Sequence, residues 1–226
     1  MRSYNQYCSV AKSLDVIGDR WNLLIVRELL LTERRRYTDL LGGLPGIATN
    51  LLSDRLRDLE HQGILEREQA PPPIATTLYR LTDRGRALEP VIAELGKWGV
   101  PLMGKRAEDD AFRSHWLAFP VELFLADSDP DSPPVSIEVR AGDGPVSIEA
   151  GHGRLRTVGA AAPDADLVID ASPELVLAVL SGNVTLAQAR RRGLSYRGDA
   201  DVLARLQRHR TLAAGTTLTA PARFAR

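Results

Sequence analysis

The sequence predicts an α+β protein made of two parts, and three observations carry that expectation. From Thr38 to Leu81 it reads as helix, tight turn, helix, and then two strands around a proline-rich loop. After residue 110 the pattern changes to strands first and helices later, an α+β order. Between them lies a polar run, Lys105 to Asp110, of the kind that joins domains. The 226 residues are therefore divided into 1–106, a linker at 107–112, and 113–226.

In the first part, Cys8 to Ile17 forms a short helix with Val10, Leu14 and Ile17 as its apolar stripe, closed by Gly18. Asp19 is a good N-cap for the next helix, Trp21 to Leu31. Leu24, Ile25, Leu29 and Leu31 make that helix apolar on much of its surface, which places it centrally. Thr38 caps a third helix ending near Gly42-Gly43, and Leu44-Pro45-Gly46-Ile47 is the turn. The following helix spans about Thr49 to Gln62 and stops at Gly63. Leu52, Leu56 and Leu59 lie at i, i+4 and i+7 and share a buried face. Ile64 to Gln69 and Thr76 to Leu81 read as a hairpin. Its loop, Ala70-Pro71-Pro72-Pro73, cannot be a central strand and fits an exposed wing tip. Thr82 caps a long helix, about Asp83 to Met103, with Leu88, Val91, Ile92, Leu95, Trp98 and Leu102 as its stripe. Pro90 must kink that helix or shift its start. A stripe this long beyond a small winged domain favours pairing with a second copy, through Leu88, Val91, Leu95 and Trp98.

In the second part, Ser114 to Ala126 looks helical. Val135, Ile137 and Val139 alternate with Ser136, Glu138 and Arg140, a half-buried strand. Gly142-Asp143-Gly144 is a hairpin turn, and Val146 to Ala150 and Leu155 to Val158 continue the sheet. Leu167 to Ile169 is a buried strand, Pro173 to Ser181 and Leu186 to Arg192 are helices, Ser195 to Arg197 is a strand, and Ala200 to His209 is a last helix. Thr211 to Arg226 has no period and is expected to be partly disordered.

Composition narrows the function. Apolar residues make up 44%, enough for real cores, yet no run of about 18 apolar residues exists to span a bilayer. No secretory signal is visible, and a single cysteine, Cys8, excludes an internal disulfide framework; both fit the cytoplasm. The four histidines are scattered without metal-ligand spacing, no nucleophile motif or phosphate loop appears, and no cofactor is expected. Asp164 and Asp166 read as strand-flanking residues rather than a catalytic pair. Net charge is zero, but residues 1–106 hold 16 Lys+Arg against 13 Asp+Glu, and residues 107–226 hold 13 against 16. The basic sign of the first part suits phosphates.

The helix after the turn carries the candidate chemistry. Thr49, Asn50, Ser53 and Arg57 fall on the face opposite the leucines, and short polar groups with an arginine suit a DNA major groove. Asn50 can pair with adenine and Arg57 with guanine, while Thr49 and Ser53 can bond bases or phosphates. Thr49 and Asn50 are equally good N-caps, and the two roles are compatible. Arg55 sits on a flank, open to phosphate or an internal carboxylate. Asp54 and Asp58 repel phosphate unless paired, Asp54 with Arg57 or Arg55 for example. Arg34, Arg35 and Arg36 read as a phosphate clamp beside the groove, or else as a solvated loop. Cys8 begins the first helix, a position that favours reactive thiols; the plainer alternative is a small buried apolar residue.

The first hundred residues resemble the HxlR family of bacterial winged-helix regulators. The residues that carry the resemblance run through Cys8, Leu14-Asp15-Val16-Ile17-Gly18, Trp21, Leu23-Leu24-Ile25 and Arg27-Glu28-Leu29. They continue through Leu44-Pro45-Gly46-Ile47, Leu52, Arg55-Leu56, Leu59-Glu60, Gly63, Tyr79, Leu81-Thr82, Gly85 and Trp98-Gly99. The resemblance implies a dimeric, MarR-like winged helix-turn-helix protein that binds DNA, and a cysteine near Cys8 that senses oxidants in some members. With one cysteine per chain, a disulfide would link two subunits. It also implies an arginine just after the wing prolines, where this chain has Ile74 and Ala75. The second part resembles sterol carrier protein-type domains through Leu180-Ser181-Gly182, Ala187, Ala189, Gly193 and Tyr196-Arg197-Gly198-Asp199. That resemblance implies a sheet covered by helices, with a small apolar or lipid-like ligand. The expected protein is a dimeric, ligand-controlled transcription regulator that binds operator DNA. The alternatives are a lipid carrier that uses the winged part only for assembly, and a thiol redox sensor acting through Cys8.

Overall fold

The computed structural model describes residues 3–71, 75–104 and 106–208. The chain forms two compact units, residues 1–99 and 100–226.

In the first unit, α1 (Ser9–Ile17) and α2 (Asn22–Leu30) lead into a two-residue strand, β1 (Arg35–Arg36), and then α3 (Tyr37–Gly43) and α4 (Thr49–His61). A hairpin follows, β2 (Leu65–Gln69) and β3 (Thr77–Leu81), then α5 (Asp83–Arg86) and α6 (Glu89–Gly99). β3 is the central strand of the small sheet, order β1-β3-β2, with Arg35 opposite Tyr79 and Glu68 opposite Leu78. This is a winged helix-turn-helix. Its core is Ile25, Leu29, Leu40, Leu44, Leu52, Leu59 and Leu65, all essentially excluded from solvent. Burying each of these side chains contributes about 1.5–3 kcal/mol. The turn before α4 depends on Gly46 (φ 87°), a left-handed conformation that glycine adopts without strain. Thr82 caps α5 as expected: its hydroxyl accepts from Gly85 N at 3.1 Å and donates to the Gly63 carbonyl at 2.6 Å.

Three local expectations for this unit need correction. The helix expected over Asp83 to Met103 is broken into α5, α6 and a 3-10 turn at Val100–Leu102. Pro90 lacks an N–H and its ring opposes the carbonyl four residues back, so it belongs in the first turn of a new helix. Asp19 does not cap α2; the N-cap is Trp21 in a left-handed conformation (φ 85°), and the Asp19 carboxylate takes Arg55 instead. Thr38 does not cap α3, which starts at Tyr37, where the Asp39 carboxylate accepts from Arg36 N at 3.0 Å.

The second unit opens with a 3-10 turn (Ser114–Leu117), α7 (Ala118–Phe124) and β4 (Leu125–Asp127). Its main sheet holds β5 (Val135–Arg140), β6 (Pro145–Gly151), β7 (Arg154–Val158), β8 (Leu167–Asp170) and, after α8 (Pro173–Leu180) and α9 (Leu186–Arg190), β9 (Ser195–Gly198). The order is β7-β6-β5-β8-β9, antiparallel except for the parallel pair β5 and β8. A 3-10 turn at Ala200–Arg205 leads to β10 (Leu206–Arg208), which pairs with β4. Leu117, Val121, Ile137, Ile148, Leu167, Ile169 and Val176 fill the space between sheet and helices.

Two expected helices of this unit are partly strand. Ser114 to Ala126 ends at Phe124, and Ala200 to Arg208 contains no α-helix, because Leu125–Asp127 and Leu206–Arg208 pair with one another. Tertiary pairing overrides the local period there. Glu138, expected on a solvated face, is 2% exposed. His209 and the stretch from Thr211 to Arg226 lie outside the described residues.

Candidate nucleic-acid interface

The leucines of α4 fix how it sits. With Leu52, Leu56 and Leu59 buried, Thr49, Asn50 and Arg57 stand exposed and Ser53 half-exposed on the other side. Ala48 is the N-cap, so Thr49 and Asn50 are inside the first turn, and Asn50 Oδ1 accepts from Leu51 N at 2.9 Å. The turn is braced from α3: Tyr37 donates its hydroxyl to the Thr49 carbonyl at 2.7 Å and lies 3.3 Å from Ser53 Oγ.

The arginines divide into committed and available groups. Arg57 has a 70% exposed side chain and engages Asp54 one turn earlier. Arg55 is mostly covered and bridges Asp19 and Asp58, the latter at 3.2 Å. The Arg34–Arg36 run is neither a plain loop nor a uniform clamp. Arg34 pairs with Glu68 at 3.0 Å, while Arg36 is exposed. Arg35 turns inward, to 3.6 Å from Glu28, with its side chain 14% exposed. The run enters β1, and alternation along a strand sends neighbouring side chains to opposite faces.

Sequence reasoning passed over Glu28. Its carboxylate is fully buried, pairs with Arg27 at 2.7 Å and Arg35 at 3.6 Å, and lies under Gly43, where an added Cβ would meet Glu28 Oε2 at 2.2 Å. A buried carboxylate persists when paired, so this one ties α2 to β1 beneath the end of α3. Adjacent Arg27-Glu28 inside an otherwise apolar helix was the available signal. In the second unit, Asp127 and Arg205 form a bidentate pair at 2.9 and 2.9 Å. The guanidinium holds the Asp127 carboxyl below the usual aspartate range. Glu138 takes Arg140 at 2.6 Å and Ala162 N at 2.9 Å, and Arg140 likewise lowers its carboxyl.

Among the described residues no cluster of three His, Cys, Asp or Glu could hold a metal. Among them, too, no helix is long and apolar enough to cross a membrane. A recess of about 510 Å³ on the second unit is bordered by four charged side chains, Glu138, Arg140, Asp143 and Asp170, and otherwise by alanine, glycine and proline.

A buried-leucine helix held by a turn before a wing defines a helix-turn-helix regulator. Residues 16–106 match the model of the HxlR-like helix-turn-helix family. The chain is 37% identical over 89 residues to the uncharacterized HTH-type transcriptional regulator YvaP of Bacillus subtilis (strain 168), covering 39% of this chain and 82% of that one. It is 38% identical over 92 residues to the uncharacterized HTH-type transcriptional regulator sll1512 of Synechocystis sp. (strain ATCC 27184 / PCC 6803 / Kazusa), covering 41% and 67%. Among solved structures, the redox regulator HypR in its reduced form is 32% identical, with 41% of this chain and 90% of that chain covered and a TM-score of 0.38. The chain belongs to the HxlR-like helix-turn-helix family of transcriptional regulators.

Proposed function

We propose that the chain reads double-stranded DNA as a homodimer, with the outward face of α4 in the major groove. The observation that carries this is the partition of α4: three leucines buried, and Thr49, Asn50 and Arg57 exposed beside them. Ser53 and Arg55 flank that face, and Arg36 on β1 and Arg34 just before it serve as phosphate contacts; Arg35, committed to Glu28, serves by holding the strand. Dimerisation is supported by a run of exposed apolar side chains in the same unit. Val91, Leu95 and Trp98 on α6 are 45%, 48% and 69% exposed, and Tyr4, Tyr7, Val10 and Leu14 are exposed as well. The segment before α1 is held to it by Asp15, which takes Ser3 Oγ and Tyr4 N, each at 2.8 Å. Residues 1–106 are thus the DNA-binding and dimerisation part, joined through 107–112 to a regulatory part, 113–226.

The test is a binding selection from a randomised duplex library, followed by titration of Arg57→Ala on the selected duplex. Losing a bidentate arginine–guanine contact is expected to cost about 1–3 kcal/mol, roughly tenfold or more in affinity. Unchanged affinity and salt dependence would remove α4 as the reading element. Control by a small apolar or lipid-like ligand in 113–226 is the finer part of the proposal. It rests on the resemblance to sterol carrier protein-type domains and on the helix-covered sheet. A thermal-shift titration with a fatty acid tests it, and an unmoved midpoint rejects it.

A further inference from the structure

We infer that Asp54 is a specificity-determining residue of the DNA interface: it holds Arg57 off the phosphates and directs it to base edges. The inference rests on the DNA-reading role proposed above for α4. The helix carries two arginines near its outer surface, and each is matched to an aspartate one turn away, Arg57 to Asp54 and Arg55 to Asp58. These four residues border a shallow recess of about 370 Å³. Their roles differ. Arg55 is mostly covered and also binds Asp19, so its pairs fasten α4 to the segment after α1. Arg57 and Asp54 have side chains 70% and 50% exposed, so solvent and an approaching duplex can reach both. Arg57 is nonetheless engaged along its own helix, Nη2 with Asp54 and Nε toward the Ser53 carbonyl at 3.4 Å.

That pairing discriminates between two kinds of target. A lone arginine gains from any phosphate, whatever the sequence, by releasing counterions. An arginine beside a carboxylate forms a locally neutral pair, and the carboxylate repels the phosphate it approaches. The major-groove edge of guanine offers neutral acceptors, N7 and O6, which a paired guanidinium can still reach. The cytosine opposite offers an amino donor that a carboxylate accepts. Asp54 therefore penalises the sequence-independent contact more than the sequence-specific one, which is how discrimination is gained by design against a competitor.

The experiment compares wild type, Asp54→Asn, and Asp54→Asn with Arg57→Ala on two probes, a duplex selected by wild type and a random-sequence duplex, across salt concentrations. Circular dichroism melts check that each variant is folded. For Asp54→Asn, affinity for the random duplex should rise roughly tenfold at low salt, and the selected-over-random ratio should fall by about the same factor. The slope of log K against log salt should steepen by about 1 per recognition helix. Adding Arg57→Ala should cancel the gain, and Asp54→Asn made on Arg57→Ala should raise random-duplex affinity by clearly less than it does on wild type, because most of the gain acts through Arg57. The inference is overturned if wild type selects a sequence yet Asp54→Asn leaves ratio and slope unchanged, or if the double variant keeps the gain. If wild type selects no sequence, the DNA-reading proposal fails first and this inference with it.

Discussion

Two adjacent glycines in α3 provide a matched pair of substitutions with opposite expected outcomes. A Cβ on Gly42 would meet nothing within 4 Å, whereas one on Gly43 would sit 2.2 Å from Glu28 Oε2 and 2.7 Å from Glu28 Cδ. Relieving that clash requires the carboxylate to retreat by roughly 1 Å, about the shortfall from ordinary contact distance. Glu28 has no room for this: it is 0% exposed and held by Arg27 and Arg35. Overpacking alone costs about 1–3 kcal/mol, and breaking a buried ion pair about 3–5 kcal/mol. Gly43→Ala is therefore expected to destabilise by about 2–5 kcal/mol. Gly42→Ala should be neutral or stabilise by up to about 1 kcal/mol, from lower unfolded-state entropy and better helix propensity. Urea unfolding of both variants, followed by circular dichroism, measures the gap. Equal stabilities, to within about 0.5 kcal/mol, would refute the reasoning that Glu28 is fixed by its two arginines.

Further outcomes are expected. Because Arg205 depresses the Asp127 carboxyl in the folded state, its contribution to the 100–226 unit is complete above the ordinary value of 3.8 and is lost as pH falls below it. Asp127→Asn should flatten that part of the stability–pH curve, and an unaltered acid limb would contradict the assignment. Trp98→Glu places a charge on the most exposed apolar side chain of α6, and sedimentation should show the proposed dimer of the wild type replaced by monomers; an unchanged sedimentation coefficient would remove α6 from the interface. If oxidant acts through the exposed Cys8, diamide should give a cross-linked dimer on a non-reducing gel that Cys8→Ser abolishes. No cross-link in wild type would remove the thiol-sensor reading.

What the sequence disclosed followed from period and punctuation. The spacing of Leu52, Leu56 and Leu59 was enough to orient α4, since a helix with one apolar stripe has one way to be buried. Thr82 and Gly63 marked the ends of their elements through backbone chemistry that is local. Long-range pairing was not legible. Leu125–Asp127 and Leu206–Arg208 have helical neighbours, and only their mutual register makes them strands. The inward turn of Arg35 and the burial of Glu28 and Glu138 escaped for the same reason. A charged residue reads as exposed until its partner, distant in sequence, is known. At the candidate interface the composition of the face was visible, but not which arginine was already taken.

The closing contacts of the second unit set an order of events for synthesis. Among the described residues its first strand, β4, pairs with β10, and Asp127 takes its counter-charge from Arg205. Some 78 residues separate those charges along the chain, so the loop they close carries a large entropic cost that is met only at the end. The residues that build the helix-turn-helix all precede residue 100 and reach one another over shorter spans. On the ribosome the helix-turn-helix unit can thus be complete while the second unit is still open, and a nascent chain stopped before Arg205 would present an unpaired β-edge and a buried acid without its base.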